Sequence, residues 1–272
     1  MIIWHRSTQA ATCDGGRAAH HNNYYTMGKV GMDQIDTLFA RAFWLSNPDR
    51  AFPTFLERRA PTQRERADGR GDLRGLSLVA AGPDPVRATV ASSADQLAAA
   101  AQLVESRYAW RGYAVRPCAS EAAITIVATR HAETVGTLSL RGDGPAGLAA
   151  DEIYREIVDR VRARGRRVCE LTRLAIGVDA AWRPTLGALI GLTYLAARAS
   201  HAATDAFVEV NPRHARFYQR MFGFTAAAEQ RTCPRVGAPA VLLRLELDRF
   251  EARLRQLGLY AARSGASAAL AA

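Results

Sequence analysis

Two ionisable residues interrupt an apolar segment in the second half of the chain. Glu170 and Arg173 lie within VCELTRLAIG, residues 168–177, whose other members predict a buried strand. Burying both charges there costs free energy unless they are paired or functional. A carboxylate in a semi-apolar cleft can take a proton from an ammonium group, so that the nitrogen lone pair attacks a thioester. A structural ion pair, buried or at a sheet edge, is the alternative interpretation.

The spacing of these two residues sets a condition on the local backbone. Side chains in a regular strand alternate between faces, so residues three apart point in opposite directions. A β-bulge between Glu170 and Arg173 would turn both side chains toward one cleft, and bulges are frequent next to active sites. A shared cleft therefore requires an irregularity in this strand.

The segment after this strand predicts a turn that leads into a long helix. The turn, RPTLGA, begins at Arg183 and contains Gly187, and the helix is expected from Thr185 to Arg198. Free N–H groups at a helix N-terminus bind phosphate or the amides of pantetheine, so Arg183 and Gly187 are candidate cofactor-binding residues. An ordinary helix start is the alternative interpretation.

A second helix is predicted over NPRHARFYQRMFGF, residues 211–224. Asn-Pro opens it and Gly223 closes it. In a functional interpretation the Tyr218 hydroxyl meets a thiolate leaving group. In a structural one, Tyr218 is a core residue with a satisfied hydroxyl. His214 is expected to face the solvent.

The order of the elements predicts an α/β fold. From about Arg87 the apolar periodicities alternate as β-α-β-β-α-β-α-β-α-β-α, which is typical of a mixed central sheet with helices on both faces. We expect one domain over residues 86–260 and a flexible tail over 261–272. Residues 1–85, rich in Gly, Pro and mixed charge, predict a largely irregular extension with a possible short helix at 30–45.

The charge of the chain is concentrated in the part expected to fold. The net charge is +10, and residues 86–272 hold 25 Lys+Arg against 17 Asp+Glu. A basic globular surface attracts acidic partners such as an acidic carrier protein, coenzyme A, nucleic acid or lipid headgroups. The arginines are scattered over several elements without interleaved aromatic residues, which disfavours nucleic acid. An Arg-rich composition imposed by the genome is the alternative cause.

The sequence gives little indication of a metal site or of a membrane-spanning segment. The four cysteines have no C-x-x-C spacing and no nearby histidine pair, so no metal site is predicted. The first residues do not resemble a signal peptide, and the longest uncharged run, Pro184–Ala197, is shorter than the ~20 residues of a membrane span. We expect a cytoplasmic protein without stable membrane insertion.

Several motifs resemble those of known acyltransferases. Residues 211–224 resemble the closing motif of GNAT acyltransferases. ELTRLAI resembles the E-x-S-R strand of acyl-homoserine lactone synthases and long-chain N-acyl amino acid synthases. SRYAWRGY, residues 106–113, resembles the R-x-x-Y-x-x-R-G-Y stretch of the amino acid synthases, and Arg231–Leu247 resembles their C-terminal strand. The resemblance covers about Arg87 to Leu247.

The resemblance implies a bacterial GNAT-type enzyme without a permanently bound cofactor. Its donor would be a fatty acyl thioester of acyl carrier protein, or of coenzyme A, and its acceptor the amino group of an amino acid. Glu170 would be the base or polariser, Arg173 would orient it or hold a carboxylate, and Tyr218 would be the third catalytic residue. The implied substrate-binding residues are Arg107, Tyr108, Arg111, Tyr113, Thr172, Leu174, Ile176 and Asn211.

Departures from the family patterns leave other functions open. The stretch from Arg183 has one glycine where the GNAT pyrophosphate loop has two, which favours a carrier protein over coenzyme A. Thr172 stands where lactone synthases usually have Ser, and their N-terminal aromatic arm is not recognisable. The alternatives are a coenzyme A-dependent GNAT enzyme, a lactone-type signal synthase and a non-catalytic basic binding module.

Overall fold

The computed structural model describes residues 54–58, 73, 76–80, 84–109 and 123–256. The strands are β1 (Thr54–Arg58), β2 (Leu76–Ala80), β3 (Val86–Val90), β4 (Ala123–Arg130), β5 (Glu133–Gly142), β6 (Val168–Ile176), β7 (Asp205–Val210), β8 (Thr225–Ala226), β9 (Arg231–Cys233) and β10 (Ala238–Glu246). The helices are α1 (Ala94–Ala109), α2 (Asp151–Arg162), α3 (Trp182–His201), α4 (Pro212–Phe222) and α5 (Leu247–Gln256).

The strands form one mixed sheet. Its order is β1-β2-β3-β4-β5-β6-β7-β10-β8, and β9 pairs with β10 beside this path. Among the described strands, β6 and β7 pair in parallel and the other neighbours are antiparallel. A parallel pair requires a crossover connection, which α3 provides between β6 and β7.

One face of the sheet is covered by α3, with α4 and α5 beside it. The buried side of α3 includes Leu186, Leu189 and Leu192, which belong to the largest apolar cluster of the protein. Gly136 of β5 permits a close approach: a Cβ atom added there would lie 2.6 Å from Cγ2 of Thr185. This packing fixes the start of α3 against the middle of the sheet.

The opposite face is covered by α1 and α2. Tyr154 of α2 is fully buried, packs with Phe207 and Leu242, and donates its hydroxyl proton to the carbonyl of Ala240 at 2.8 Å. In α1, Tyr108 packs against Ala175 of β6. The protein therefore has helices on both faces of a mixed sheet, as the element order predicts.

Two short strands lie within the N-terminal segment that the sequence predicts to be largely irregular. The sheet starts before residue 86, because β1 and β2 lie within the segment expected to be largely irregular, and Leu78 and Ala80 of β2 are buried. These strands have five residues each, too short for their periodicity to stand out between charged and Gly/Pro-rich flanks. The possible helix at 30–45 and the tail 261–272 lie outside the described residues. In the described ranges, no helix combines the length and apolarity needed to cross a membrane.

Candidate active site

Strand β6 contains a β-bulge at Arg173, where it pairs with the neighbouring strand β5. Thr137 pairs with Ala175 and Ser139 with Thr172, so two β6 residues, Arg173 and Leu174, oppose one β5 residue. Arg173 has φ of +56°, the left-handed conformation that allows the extra residue.

The bulge changes which way the β6 side chains point. Before it, Cys169 and Leu171 pack on the α3 side, and after it Leu174 and Ile176 do so. Glu170 points to the other side, where its carboxylate contacts the chain before α2. Arg173 also acts on that side, since its guanidinium lowers the pKa of Tyr108 in α1, although burial raises that pKa overall. Glu170 thus lies on the α1 and α2 face, and the Arg173 guanidinium acts on a side chain of the same face.

The strands β6 and β7 separate just after Glu170. Their paired residues run from Val168 with Asp205 to Leu171 with Val208. Beyond this point β6 continues to Ile176, while the rest of β7 pairs only with β10 within the described strands. The backbone amides and carbonyls of two strand segments therefore border an opening in the sheet.

Glu170 is buried next to this opening and is held by backbone donors. Its Oε2 accepts hydrogen bonds from the amides of Ala149 at 2.6 Å and Ala150 at 3.2 Å. Burial raises the pKa of Glu170, and the nearby Glu209 carboxylate raises it further. Its carboxylate therefore fixes the chain at the start of α2 in addition to any chemical role.

Glu209 is a buried carboxylate that was not predicted from the sequence. It lies in β7, one residue past the last partner of β6, with its side chain fully buried. Nη2 of Arg235 lies 2.6 Å from its Oε2, whereas its buried Oε1 has no hydrogen-bond partner in the described structure. The signal in the sequence was an acidic residue within the apolar strand DAFVEV, the same signal that singled out Glu170.

The Glu209 carboxylate raises the pKa values of three buried side chains on this face. Burial raises the pKa of Tyr154 to about 12, and the Glu209 carboxylate contributes to the rise. Burial also raises the pKa of Tyr108, and the charge of Glu209 adds to the rise. Burial raises the pKa of the Cys233 thiol, and a hydrogen bond to the Glu209 carboxylate raises it further. The carboxylate thus lies among α1, α2 and the β9–β10 connection.

Tyr218 of α4 places a second unpartnered polar atom at the site. Its ring packs edge-on against Phe217 and Phe224, and its buried hydroxyl has no hydrogen-bond partner in the part of the chain described. Burial raises its pKa well above the usual value, and Tyr108 contributes to the rise. Tyr218 is therefore a core residue, as the structural interpretation has it, and its hydroxyl is not satisfied by any of the described residues.

The predicted cofactor-binding residues lie inside α3. This helix begins at Trp182, three residues before the expected start, so Arg183 is in its first turn and Gly187 follows on an exposed position. The turn that precedes the helix is Gly177–Ala181, because β6 ends at Ile176. The Arg183 guanidinium lies over the Trp182 ring, 5.3 Å from its centroid.

The remaining predicted residues fall into four groups. Leu174 and Ile176 are buried in the core on the α3 side, and Thr172 is half-buried on the Glu170 side. Asn211 caps α4, with its Oδ1 accepting a hydrogen bond from the amide of Arg213 at 3.3 Å. Arg107 and Tyr108 lie in the last turns of α1. Two further predicted residues, Arg111 and Tyr113, lie outside the described residues.

An apolar gap lies on the other side of the sheet from Glu209. Leu171, Tyr194, Phe222 and Phe250 are among the side chains around it, and its volume is about 20 Å³. That is room for roughly one water-sized group. Over the described ranges, no cluster of three or more His, Cys, Asp or Glu side chains is arranged to hold a metal ion.

The mixed sheet with its separating strands is the fold of the GNAT-type acyltransferases. FeeM, an N-acyl amino acid synthase from uncultured soil microbes, superposes with a TM-score of 0.58 at 23% identity, over 64% of this chain and 97% of FeeM. An acyl-CoA N-acyltransferase from Pseudomonas aeruginosa follows with a TM-score of 0.42 at 16% identity, over 58% of this chain and 97% of that protein. No curated protein in the comparison matches the chain.

The family is established by the sequence profile of the N-acyl amino acid synthase FeeM. It matches residues 99–246, more than half of the 272-residue chain. The chain belongs to the FeeM family, and it is an N-acyltransferase enzyme. The expected family and the GNAT-type α/β fold are thereby confirmed.

Proposed function

We propose that this enzyme transfers a fatty acyl group from the thioester of an acyl carrier protein to the amino group of an amino acid, giving an N-acyl amino acid. The observation that supports this most directly is that two buried polar atoms, the Tyr218 hydroxyl and Glu209 Oε1, have no hydrogen-bond partner among the described residues, and that Glu209 lies where β6 and β7 separate. Leaving such atoms without partners costs free energy, which a bound substrate would recover.

The donor occupies the opening between the two strands. Pantetheine is an extended chain with two amides, and the free edges of β6 and β7 offer it backbone partners on both sides. This arrangement serves a pantetheine arm attached to a carrier protein as well as coenzyme A. The start of α3, where Arg183 and Gly187 lie, would meet the phosphate end of the arm.

The leaving group meets Tyr218. In the transfer, a bond forms between the acceptor nitrogen and the thioester carbonyl carbon, and the carbon–sulfur bond breaks. The Tyr218 hydroxyl, which has no other partner in the described structure, donates a hydrogen bond to the departing sulfur. Because burial raises its pKa, this hydroxyl remains protonated at neutral pH and can act as a donor.

The acceptor lies on the face of Arg173. An arginine fork binds a carboxylate in two parallel hydrogen bonds, which selects an amino acid over a simple amine. Arg107 and Tyr108 are at the end of α1, and Tyr108 lies within electrostatic reach of Arg173. Together with Arg111 and Tyr113, farther along the chain, they are proposed to complete the acceptor or carrier site.

The carrier protein docks beside α4. Arg213, Arg216 and Arg220 are exposed on this helix, which also carries Tyr218. Acyl carrier proteins are acidic, so these arginines favour their approach next to the site of thioester cleavage. The net charge of +10 acts in the same direction over longer distances.

The proposal is tested by incubating the purified enzyme with acyl carrier protein loaded with fatty acids of several lengths and each common amino acid. We expect one or a few N-acyl amino acids by mass spectrometry, and slower product formation from the matching acyl-coenzyme A. Products from simple amines only would exclude an amino acid as the acceptor. A faster reaction with acyl-coenzyme A than with the acyl carrier protein would exclude the carrier protein as the preferred donor.

Two sets of variants distinguish docking of the carrier protein from the chemical step. Replacing Arg213, Arg216 and Arg220 together by Glu is expected to raise the KM for the acyl carrier protein about tenfold or more, and to leave the rate with a short acyl-pantetheine unchanged. The control replaces three other exposed arginines in the same way, Arg155 and Arg160 of α2 and Arg164 just after it. Equal effects of both sets would show a general loss of positive charge and no docking site on α4.

Replacing Arg173 by Gln tests acceptor recognition. The wild-type enzyme is expected to prefer an amino acid over the amine that lacks its carboxylate. The variant should lose this preference, because the neutral amide does not pair with a carboxylate. An unchanged ratio of the two kcat/KM values would exclude Arg173 as the carboxylate-binding residue.

A further inference from the structure

Two carboxylates border the opening in the sheet, and their hydrogen bonding separates their roles. Glu170 uses Oε2 to hold the amides of Ala149 and Ala150. Glu209 uses Oε2 to bind Arg235, and its Oε1 is buried without a partner in the described structure. A buried carboxylate oxygen in this state has a lone pair available for a donor that enters with the substrate.

The position of Glu209 matches the place where the acceptor nitrogen must arrive. It is the first β7 residue past the last pair with β6, so it lies where the strands part. Its charge acts on Tyr108, which is in turn affected by Arg173 and acts on Tyr218. Glu209, Arg173 and Tyr218 therefore all lie within electrostatic reach of the Tyr108 side chain.

We infer that Glu209 is the group that binds the acceptor ammonium through Oε1 and accepts its proton. This assignment rests on the proposed function and moves the role of base from Glu170, where the family resemblance placed it, to β7. Glu170 then acts as a positioning residue that fixes the start of α2. Arg235 is a second positioning residue, because its guanidinium keeps Oε2 occupied and leaves Oε1 toward the acceptor.

Protons and bonds are conserved in the proposed transfer. The ammonium N–H bond breaks and the proton passes to Oε1, which leaves a neutral amine with a lone pair. The amine attacks the thioester carbonyl, the carbon–nitrogen bond forms, and the carbon–sulfur bond breaks. The nitrogen loses a second proton as the amide forms, and the thiolate gains one. Glu209 releases its proton to solvent, so the net products are the amide, the thiol and one proton.

The test compares pH profiles of kcat/KM for three variants, each with a carboxylate changed to its amide. Glu209→Gln is expected to reduce kcat/KM at neutral pH about 100-fold or more. The loss should shrink by about tenfold per pH unit as the pH rises toward the pKa of the acceptor amine, since the neutral amine then forms in solution. Glu170→Gln should keep the wild-type shape of the profile, whatever its rate.

Glu156→Gln is the matched control. Glu156 is exposed on α2, where it pairs with Arg231, and the variant is expected to match the wild type in rate and profile. If Glu209→Gln fails to fold by circular dichroism, Glu209→Asp is measured instead. It retains a carboxylate at a greater distance and should lower the rate without changing the shape of the profile.

Several results would overturn the assignment. A wild-type rate for Glu209→Gln, a loss that is equal at every pH, or the rising profile in Glu170→Gln would each exclude Glu209 as the base. An unaltered rate for Glu209→Asp would do the same. The proposed function fails separately, by the absence of amide products from the wild-type enzyme. Activity with an amine other than an amino acid leaves this test in force, because any ammonium acceptor must lose a proton.

Discussion

Arg235 joins Glu209 of β7 to the chain at the start of α2. Nη2 of Arg235 lies 2.6 Å from Oε2 of Glu209, and Nη1 donates to the carbonyl of Ala149 at 2.8 Å and pairs with Glu152. One guanidinium thus connects the β9–β10 turn, the central sheet and α2. Because the Glu209 side chain is fully buried, this pair has little competition from water.

Removing the guanidinium is expected to be strongly destabilising. Arg235→Met leaves the buried Glu209 charge uncompensated and should lower the free energy of unfolding by about 3 kcal/mol. The control is Arg249→Met, which breaks the exposed pair with Glu246 and should cost less than about 1 kcal/mol. Urea unfolding of the three proteins gives the comparison. Equal losses in both variants would show that the Arg235 pair contributes no more than a surface pair.

The second prediction concerns stability and follows from the left-handed backbone conformation of Arg173. Arg173→Gly and Arg173→Ala both remove the guanidinium, so any difference between them arises from the backbone. At φ of +56° a Cβ atom is unfavourable, and the glycine variant should be the more stable by about 1 kcal/mol. Thermal unfolding of both variants measures this difference. A more stable alanine variant would mean that the bulge does not persist without the arginine.

The third prediction concerns stability and follows from the close contact between β5 and α3. A Cβ atom at Gly136 would lie 2.6 Å from Cγ2 of Thr185, so Gly136→Ala should cost about 1–3 kcal/mol through overpacking. Adding Thr185→Ser removes that methyl group and should restore part of the loss, which a double-mutant cycle measures.

Gly187→Ala is the stability control for this contact. The space around Gly187 is open, and the change should stabilise α3 by about 0.5–1 kcal/mol through helix propensity. A Gly136→Ala variant as stable as the wild type would show that α3 can shift away from β5 without cost.

The fourth prediction concerns acid unfolding. Burial alone would raise the pKa of Asp205, but hydrogen bonds from Thr204, Arg166 and Arg244 outweigh it and hold this pKa below the usual value. A carboxyl group whose pKa is lower in the folded state stabilises the protein above its unfolded pKa of about 3.9, and this contribution is lost as the pH falls through the folded value.

Asp205→Asn isolates this contribution. The variant should be less stable than the wild type at neutral pH, and the difference should shrink below about pH 4. Urea unfolding over a pH series measures both proteins. A difference that stays constant down to strongly acidic pH would mean that the three donors stabilise the asparagine equally well.

Much of the fold was predictable because its elements carry strong local signals. The strand TVGTLSL and the helix from Asp151 have the alternation and the periodicity of half-buried elements, and both occur within a few residues of the expected bounds. The start of α3 was placed late because Pro184 was assigned to a turn, whereas proline is equally suited to the first turn of a helix.

The arrangement of the site was only partly predictable. The need for a bulge between Glu170 and Arg173 followed from the two-residue period of a strand. The partners of the buried carboxylates did not, because Arg235 is 26 residues from Glu209 and Ala149 is 21 residues from Glu170. Among so many arginines, sequence alone cannot select the one that faces a given carboxylate.

The hydrogen bonds of Glu170 bear on how α2 forms. The cap position of this helix is Ala150, which provides no side-chain acceptor for the first amides of the helix. The negative charge at this end comes partly from Glu170, which is 20 residues farther along the chain and belongs to a different element. The order in which α2 and β6 are synthesised therefore differs from the order in which they become stable. The residues of α2 are made first, but the helix obtains its anchor only after β6 has joined the sheet, so that folding of the two elements is coupled.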